Sequence, residues 1–215
     1  MRTAGLLLMP ACVLAGASAL AGTTLTPAMV PHGTPDYRKA DAGVYRLDPN
    51  HTAVLARVSH MGFSISVFRF GKSQATLQWN PDDPAKCHLT AAVETASIAT
   101  PVKGFARLLS GNGYLKSARF PEATFVSTAF HKTDAMHGTV DGNFTLKGVT
   151  RPVTFRVTLI GAGPGFAGGP VMGHVIGIHA ETLIDPQDYS LGPFFTAPIE
   201  ISVDTEFDKP GSKRG

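Results

Sequence analysis

The sequence predicts an all-β protein, folded as an antiparallel sandwich or a closed barrel. Three observations carry that prediction. First, apolar and polar residues alternate with period two. Val153, Phe155, Val157 and Leu159 alternate with Thr154, Arg156 and Thr158, and Ile199, Ile201, Val203 and Phe207 share a parity opposed by Glu200, Ser202, Asp204 and Glu206. That period describes a strand with one apolar and one wet face, as antiparallel sheets show. Second, about eight or nine such segments follow one another at short spacing, the pattern of sandwiches and barrels. Third, 43% of the 215 residues are hydrophobic, enough to bury a core and to exclude general disorder.

The remaining composition narrows the class further. Charged residues make up 16%, against ~25% in an average globular protein. The formal charge is +3 with no basic stripe, so a nucleic-acid footprint is excluded. The 23 glycines and 16 prolines supply turns without reaching low complexity.

In chain order, residues 1–21 read as a secretory signal peptide. Met1-Arg2 gives a positive start, Ala4 to Leu14 an apolar run, and Ala19-Leu20-Ala21 a small-x-small cleavage pattern ending at Ala21. The run is shorter than the ~20 residues of a bilayer-crossing helix. Cys12 follows Met9-Pro10-Ala11, a poor context for lipidation. The exported chain, periplasmic or secreted, would keep one cysteine, Cys87, so an internal disulfide is excluded and packing must supply stability. Residues 22–42 show no period and hold three prolines, which predicts a flexible lead-in. The domain then runs over 43–207, and 208–215 form a polar tail.

Within the domain, Val54, Ala56, Val58 and His60 share one parity; Phe63, Ile65 and Val67 form another run. Ala75, Leu77 and Trp79 alternate, as do Val140, Gly142, Phe144 and Leu146. One segment departs. Thr100-Pro101 reads as an N-cap followed by proline at the first helical position. Val102, Phe105, Leu108 and Leu109 fall at helical spacing, and Gly111 is a stop. A short amphipathic helix is therefore predicted over 101–110, covering an end or flank of the sheet.

Several motifs mimic catalytic signatures. Gly163, Gly165 and Gly168 fit G-x-G-x-x-G, but Gly169-Pro170 and another alternating strand follow instead of a helix, so a hairpin loop is the better reading. Gly62-Phe63-Ser64 lacks the second glycine of a nucleophile elbow, with Ser66 in its place. His174 and His179 lie five apart on one strand and face opposite ways. His131 and His137 flank a turn without an obvious third metal ligand. His60 and His174 share parity with apolar neighbours and are expected to project inward. Such histidines serve as hydrogen-bonded core residues or as polar contacts for a ligand head group.

Three segments together resemble a known family. Leu47-Asp48-Pro49-Asn50-His51-Thr52 leads into Val58-Ser59-His60-Met61-Gly62-Phe63; Ser97-Ile98-Ala99-Thr100 precedes the helix and YLKSARFPEATFVST at 114–128; GNFTLKGVTRPVTFRV occupies 142–157. Their order and spacing resemble the YceI-like family of exported, lipocalin-like polyisoprenoid-binding proteins. The block LKGVTRPVTF is the most specific part, with Phe144 standing for a leading leucine. The stretch from Arg107 to Lys116 lacks the acidic positions and the histidine that the family often carries there. Asp185-Pro186 stands where the family usually places an arginine.

The resemblance implies an eight-stranded antiparallel lipocalin-like barrel around an apolar tunnel. The tunnel would hold an isoprenoid chain such as a polyprenol or a quinone tail, with no catalytic residue and no cofactor. The inward residues expected to line it are Val58, His60, Phe63, Ile65, Phe125, Phe144, Phe155, Val157, Ile176 and Ile178. Two other classes of function remain open from sequence. One is a redox or haem-associated partner using His60 and His174. The other is a lipid hydrolase or isomerase, for which no nucleophile–base pair stands at a recognisable spacing. Oligomeric state is open, a homodimer included.

Overall fold

In the computed structural model, strand β1 (Gly43–His60) turns through Met61-Gly62-Phe63 into β2 (Ser64–Phe70). Met61 and Gly62 both have positive φ, at 51° and 78°, so the turn reverses the chain within three residues. After Gly71-Lys72 the chain continues as β3 (Ser73–Trp79), again antiparallel to β1. β2 and β3 thus divide one edge of β1 between them: Val54 to His60 face β2, and Gly43 to Arg46 face β3. The described residues are 30–165 and 173–209.

The rest of the sheet is built by neighbours in chain order. β4 (His88–Glu94), β6 (Glu122–Lys132), β7 (His137–Leu146), β8 (Val149–Pro164), β9 (His174–Ile184) and β10 (Ile199–Lys209) each pair antiparallel with the strand before them in the ring. β10 returns to β1, with Val54 opposite Val203 and Ala56 opposite Ile201. The closed ring is β1, β3, β4, β6, β7, β8, β9, β10, the eight-stranded antiparallel barrel expected. β5 (Ile98–Ala99) adds two residues to the edge of β2. Closure leaves the ring without free edges.

Alternation puts the apolar parity inside. Val140, Phe144 and Leu146 of β7 and Ile199 and Phe207 of β10 are buried. The core has two ends. Val58, Phe68, Leu109, Leu115, Leu191 and Ile199 meet at one; Tyr45, Leu77, Leu159, Ala162, Ile176 and Phe207 meet at the other.

The helix differs in detail from its prediction. α1 spans Phe105–Ser110, and its N-cap is Gly104 at φ 80° with no side-chain cap. Thr100 Oγ1 instead donates to the Val102 carbonyl at 3.0 Å, closing a turn before the helix. Gly111 does end it, its N–H bonding the Leu108 carbonyl at 3.1 Å. α1 lies over the Val58 end: Leu109 is buried there, and the Phe105 ring lies 5.9 Å from that of Phe68.

The lead-in is not structureless where it is described. Thr34 exchanges two backbone hydrogen bonds with Ala162, at 2.9 and 2.8 Å. Asp36 caps a 3₁₀ turn, Tyr37–Lys39, and Ala40 is fully buried. Isolated anchors of this kind carry no period, so periodicity missed them. The predicted signal peptide (1–21), residues 22–29, Gly168 of the glycine motif and residues 210–215 lie outside the described residues.

Candidate functional site: an apolar cavity inside the barrel

The inward faces do not fill the ring. A cavity of about 340 Å³ runs along the barrel interior, within the ~300–1,000 Å³ of small-molecule sites. Its walls come from every strand of the ring and from β2, and they are overwhelmingly apolar. The space exists because several inward positions are small: Ala56, Ala75, Ala91, Ala123 and Ala180 all face it.

The two ends of the cavity differ. At the α1 end the wall is Leu109, Leu115, Leu191, Phe195 and Ile199, none of them exposed. At the opposite end the lining includes exposed residues, Pro84, Lys132, Asp134 and His137, beside Tyr37, Trp79 and Cys87. This second end is the mouth. Tyr37 and Trp79 meet edge to face there, with ring centroids 6.3 Å apart. Lys132 Nζ donates to Tyr37 Oη at 2.6 Å. The Trp79 indole N–H is buried and has no acceptor among the described residues, an open hydrogen-bond donor beside an otherwise apolar space. Cys87 Sγ donates to the Asn80 carbonyl at 3.4 Å. Burial pushes its thiol above the ordinary range, away from the thiolate that reactive cysteines need.

Seven of the ten residues expected to line a tunnel face this cavity: Val58, Phe125, Phe144, Phe155, Val157, Ile176 and Ile178. The Phe125 and Phe155 rings stack edge to face at 5.1 Å, and Phe144 meets the buried Tyr189 at 5.6 Å. The other three do not face it, which corrects the inward reading. His60 is exposed at the end of β1, Phe63 is 86% exposed and Ile65 57%. Register explains why. Val58 pairs with Ser66 and Ala56 with Phe68, so the inward parity of β2 is 66, 68, 70. Ile65 and Val67 share the outward one. His60 and Phe63 lie beyond Arg57, the last residue of β1 to pair with β10.

His174 is corrected too. It stands at the start of β9 opposite Lys209, with Nδ1 3.2 Å from Asp41 Oδ2, and it does not line the cavity. His60 lies past the Ile199 end of β10. Ten residues at ~3.3 Å each set the two histidines roughly 30 Å apart, so no haem is held between them. The other histidines flagged from sequence hold acids instead. His131 Nε2 is 2.9 Å from Asp141, His137 Nδ1 2.9 Å from Asp134, and His179 Nδ1 2.8 Å from Asp204.

Sequence reasoning places Cys87 at the entrance of a strand but did not name the inward face of that strand, β4, whose Leu89, Ala91 and Val93 face the cavity. Alanine and threonine at the intervening positions blur its alternation. It also missed the mouth residues Tyr37, Asn80 and Cys87, which carry no periodic signal.

The profile of the YceI-like domain matches residues 45–207, and the chain belongs to that family. A UPF0312 protein of Pseudomonas fluorescens is 30% identical over 176 residues, covering 80% of this chain and 88% of its own. The fold is that of Burkholderia cenocepacia BcnA, at TM-score 0.64 and 20% identity over 74% of this chain and 98% of that one. A polyisoprenoid-binding domain from Saccharophagus degradans shares it at TM-score 0.56 and 13% identity, covering 77% and 98%.

Proposed function

We propose that this protein is an exported, non-enzymatic carrier that holds a long apolar lipid of the isoprenoid type, a polyprenol or quinone-like chain, inside its barrel. One observation carries the reading: the apolar cavity that follows the barrel axis from the mouth to the wall under α1. A slim hydrocarbon chain entering it gains ~0.8 kcal/mol per buried CH₂, less the cost of association and of ordering the chain. The unpartnered Trp79 N–H, with Tyr37 and Lys132 beside it, suits an oxygen-bearing head group at the mouth. Each of the seven inward residues serves as apolar wall. The predicted leader at 1–21 supports delivery to the periplasm or beyond, and the polyisoprenoid-binding relative by fold supports the ligand class.

The experiment purifies the exported chain without detergent, reads its N-terminus, denatures it and identifies the released lipid by mass spectrometry. Recovery of one isoprenoid lipid in near-stoichiometric amount is expected, with a new N-terminus after Ala21. An empty protein that also takes up neither polyprenols nor quinones overturns the carrier reading.

A further inference from the structure

The β1–β2 hairpin carries the least protected apolar surface at the α1 end. Met61 is 75% exposed and Phe63 86%, and Ile65 and Val67 stand outward behind them. Among the described residues neither edge of the tip is paired: β10 reaches β1 only as far as Arg57, and β5 pairs with β2 only at Arg69 and Phe70. Two other segments present apolar side chains at the same end. Val102 and Leu108 are exposed in and before α1, and Phe194 is 79% exposed in the loop before β10. Each neighbours a residue of the cavity's end wall, Leu108 beside Leu109 and Phe194 beside Phe195. Exposed apolar clusters mark interaction sites.

The charges around the cluster say what kind of surface it meets. No Asp or Glu occurs from Val58 to Lys72, nor from Thr95 to Pro121. Lys103, Arg107, Lys116 and Arg119 lie in the second stretch, and Arg69 and Lys72 in the first. Glu94, next to that second stretch, is paired with Lys72 at 3.1 Å. The mouth end is mixed: Asp36, Asp41, Asp48, Asp83, Asp134, Glu206 and Asp208 stand there with Arg38, Lys39, Arg46, Lys86, Lys132 and Lys209. The acids that share the α1 end are engaged: Asp185 caps the turn Pro186–Tyr189, Asp188 lies 3.8 Å from Arg151 and Glu200 3.5 Å from Arg57. Apolar side chains that protrude from a hairpin and a helix whose own stretches hold cations and no acid match an anionic bilayer. The rings enter the headgroup–acyl boundary while lysine and arginine meet the lipid phosphates.

We propose that the hairpin tip Met61-Gly62-Phe63, with Val102, Leu108 and Phe194 at the same end, docks this protein on anionic lipid bilayers, α1 end down and mouth toward solvent. The proposal does not depend on what fills the cavity.

It is tested by co-sedimentation of the exported, leader-free chain with two kinds of vesicle: phosphatidylcholine alone, and phosphatidylcholine mixed equally with phosphatidylglycerol. Binding to the mixed vesicles that weakens with added salt is expected. Met61→Ser/Phe63→Ser is expected to lower it by roughly tenfold or more, with the thermal melt and the retained cavity lipid unchanged. Lys103→Glu/Arg107→Glu is expected to remove the preference for phosphatidylglycerol. A wild-type protein that stays in the supernatant overturns the proposal. So does a serine variant that sediments as well as wild type. If sedimentation velocity finds a dimer that Phe63→Ser turns into monomer, the occupant is a second copy and the bilayer is ruled out.

Discussion

Gly142 stands on β7 opposite Ser127, and the Phe125 ring lies across it. A Cβ at this position would run into the Phe125 ring and meet the Val126 carbonyl oxygen at 2.6 Å. The ring's exit is toward the cavity, and the carbonyl cannot move without breaking the ladder. Gly142→Ala is therefore expected to cost about 1–3 kcal/mol by overpacking, read as a lowered midpoint in urea. His51 makes a different kind of prediction. Its Nδ1 lies 2.6 Å from Asp48 Oδ2 and 3.9 Å from Glu206, and the Asp48 hydrogen bond, with Glu206 nearby, raises the imidazole pKa above its ordinary value. Burial opposes ionisation of Asp48, but hydrogen bonds from His51 and Asn50 outweigh it and hold that pKa low. The histidine's contribution to stability is complete below the unfolded pKa of ~6.5 and is lost as pH rises through the raised folded value. The aspartate's contribution is lost as pH falls through its own depressed value. Both side chains stand near the surface, so the stability effect is small and the titration is the better observable. An NMR titration of His51 is expected to show a midpoint above that of a free imidazole, falling back toward it in Asp48→Asn.

At the scale of elements, β2 shows where alternation stops being enough. Ile65 and Val67 are apolar on one parity and Phe68 and Phe70 on the next, so two registers look equally good along the strand. The pairing of Val58 with Ser66 decides between them, and a one-residue change of register reverses every side chain. A matched pair of substitutions checks the outcome. Ile65→Ser is expected to stay within about 0.5 kcal/mol of wild type. Phe68→Ala, which removes a buried ring packed on Phe105, is expected to cost about 3 kcal/mol. Equal costs in chemical denaturation would refute the register. β7 and β10 were legible because each has polar residues on the whole of its outer parity, and β8 because Thr154, Arg156 and Thr158 separate Val153, Phe155, Val157 and Leu159. β4 was not, since Thr90, Ala91 and Ala92 give neither face away. The helix was legible as a stripe, but its start was not: Thr100-Pro101 has the chemistry of a cap, and the backbone enters the helix at Gly104 through a positive φ that Thr100 is not placed to serve.

At the scale of the whole molecule, the alternating strands imply a sheet, and closure follows when β10 finds β1. Whether the closed ring is hollow is a sum over residues far apart in sequence, and alternation does not report it. An inward alanine and an inward phenylalanine satisfy the same pattern. Here Ala75 and Ala91 are direct partners on β3 and β4, and Phe125 partners Ala91 on β6, so small side chains meet across adjacent strands and leave room that the aromatic residues do not close. The same reasoning names the change that closes it. Ala91→Phe puts a ring into existing space, without the backbone conflict that Gly142→Ala meets. Each methylene of ligand it displaces forfeits ~0.8 kcal/mol of binding. The variant is expected to be purified nearly free of lipid. Stripped of lipid, it should melt at or above the temperature of stripped wild type, because the ring fills a void. Lipid-loaded wild type should in turn melt above its stripped form, since a ligand that binds only the folded state stabilises it in proportion to its occupancy. Calorimetry of the three samples beside lipid mass spectrometry separates the cases. If Ala91→Phe keeps a full complement of lipid, the ligand lies outside the barrel, however hollow the barrel is.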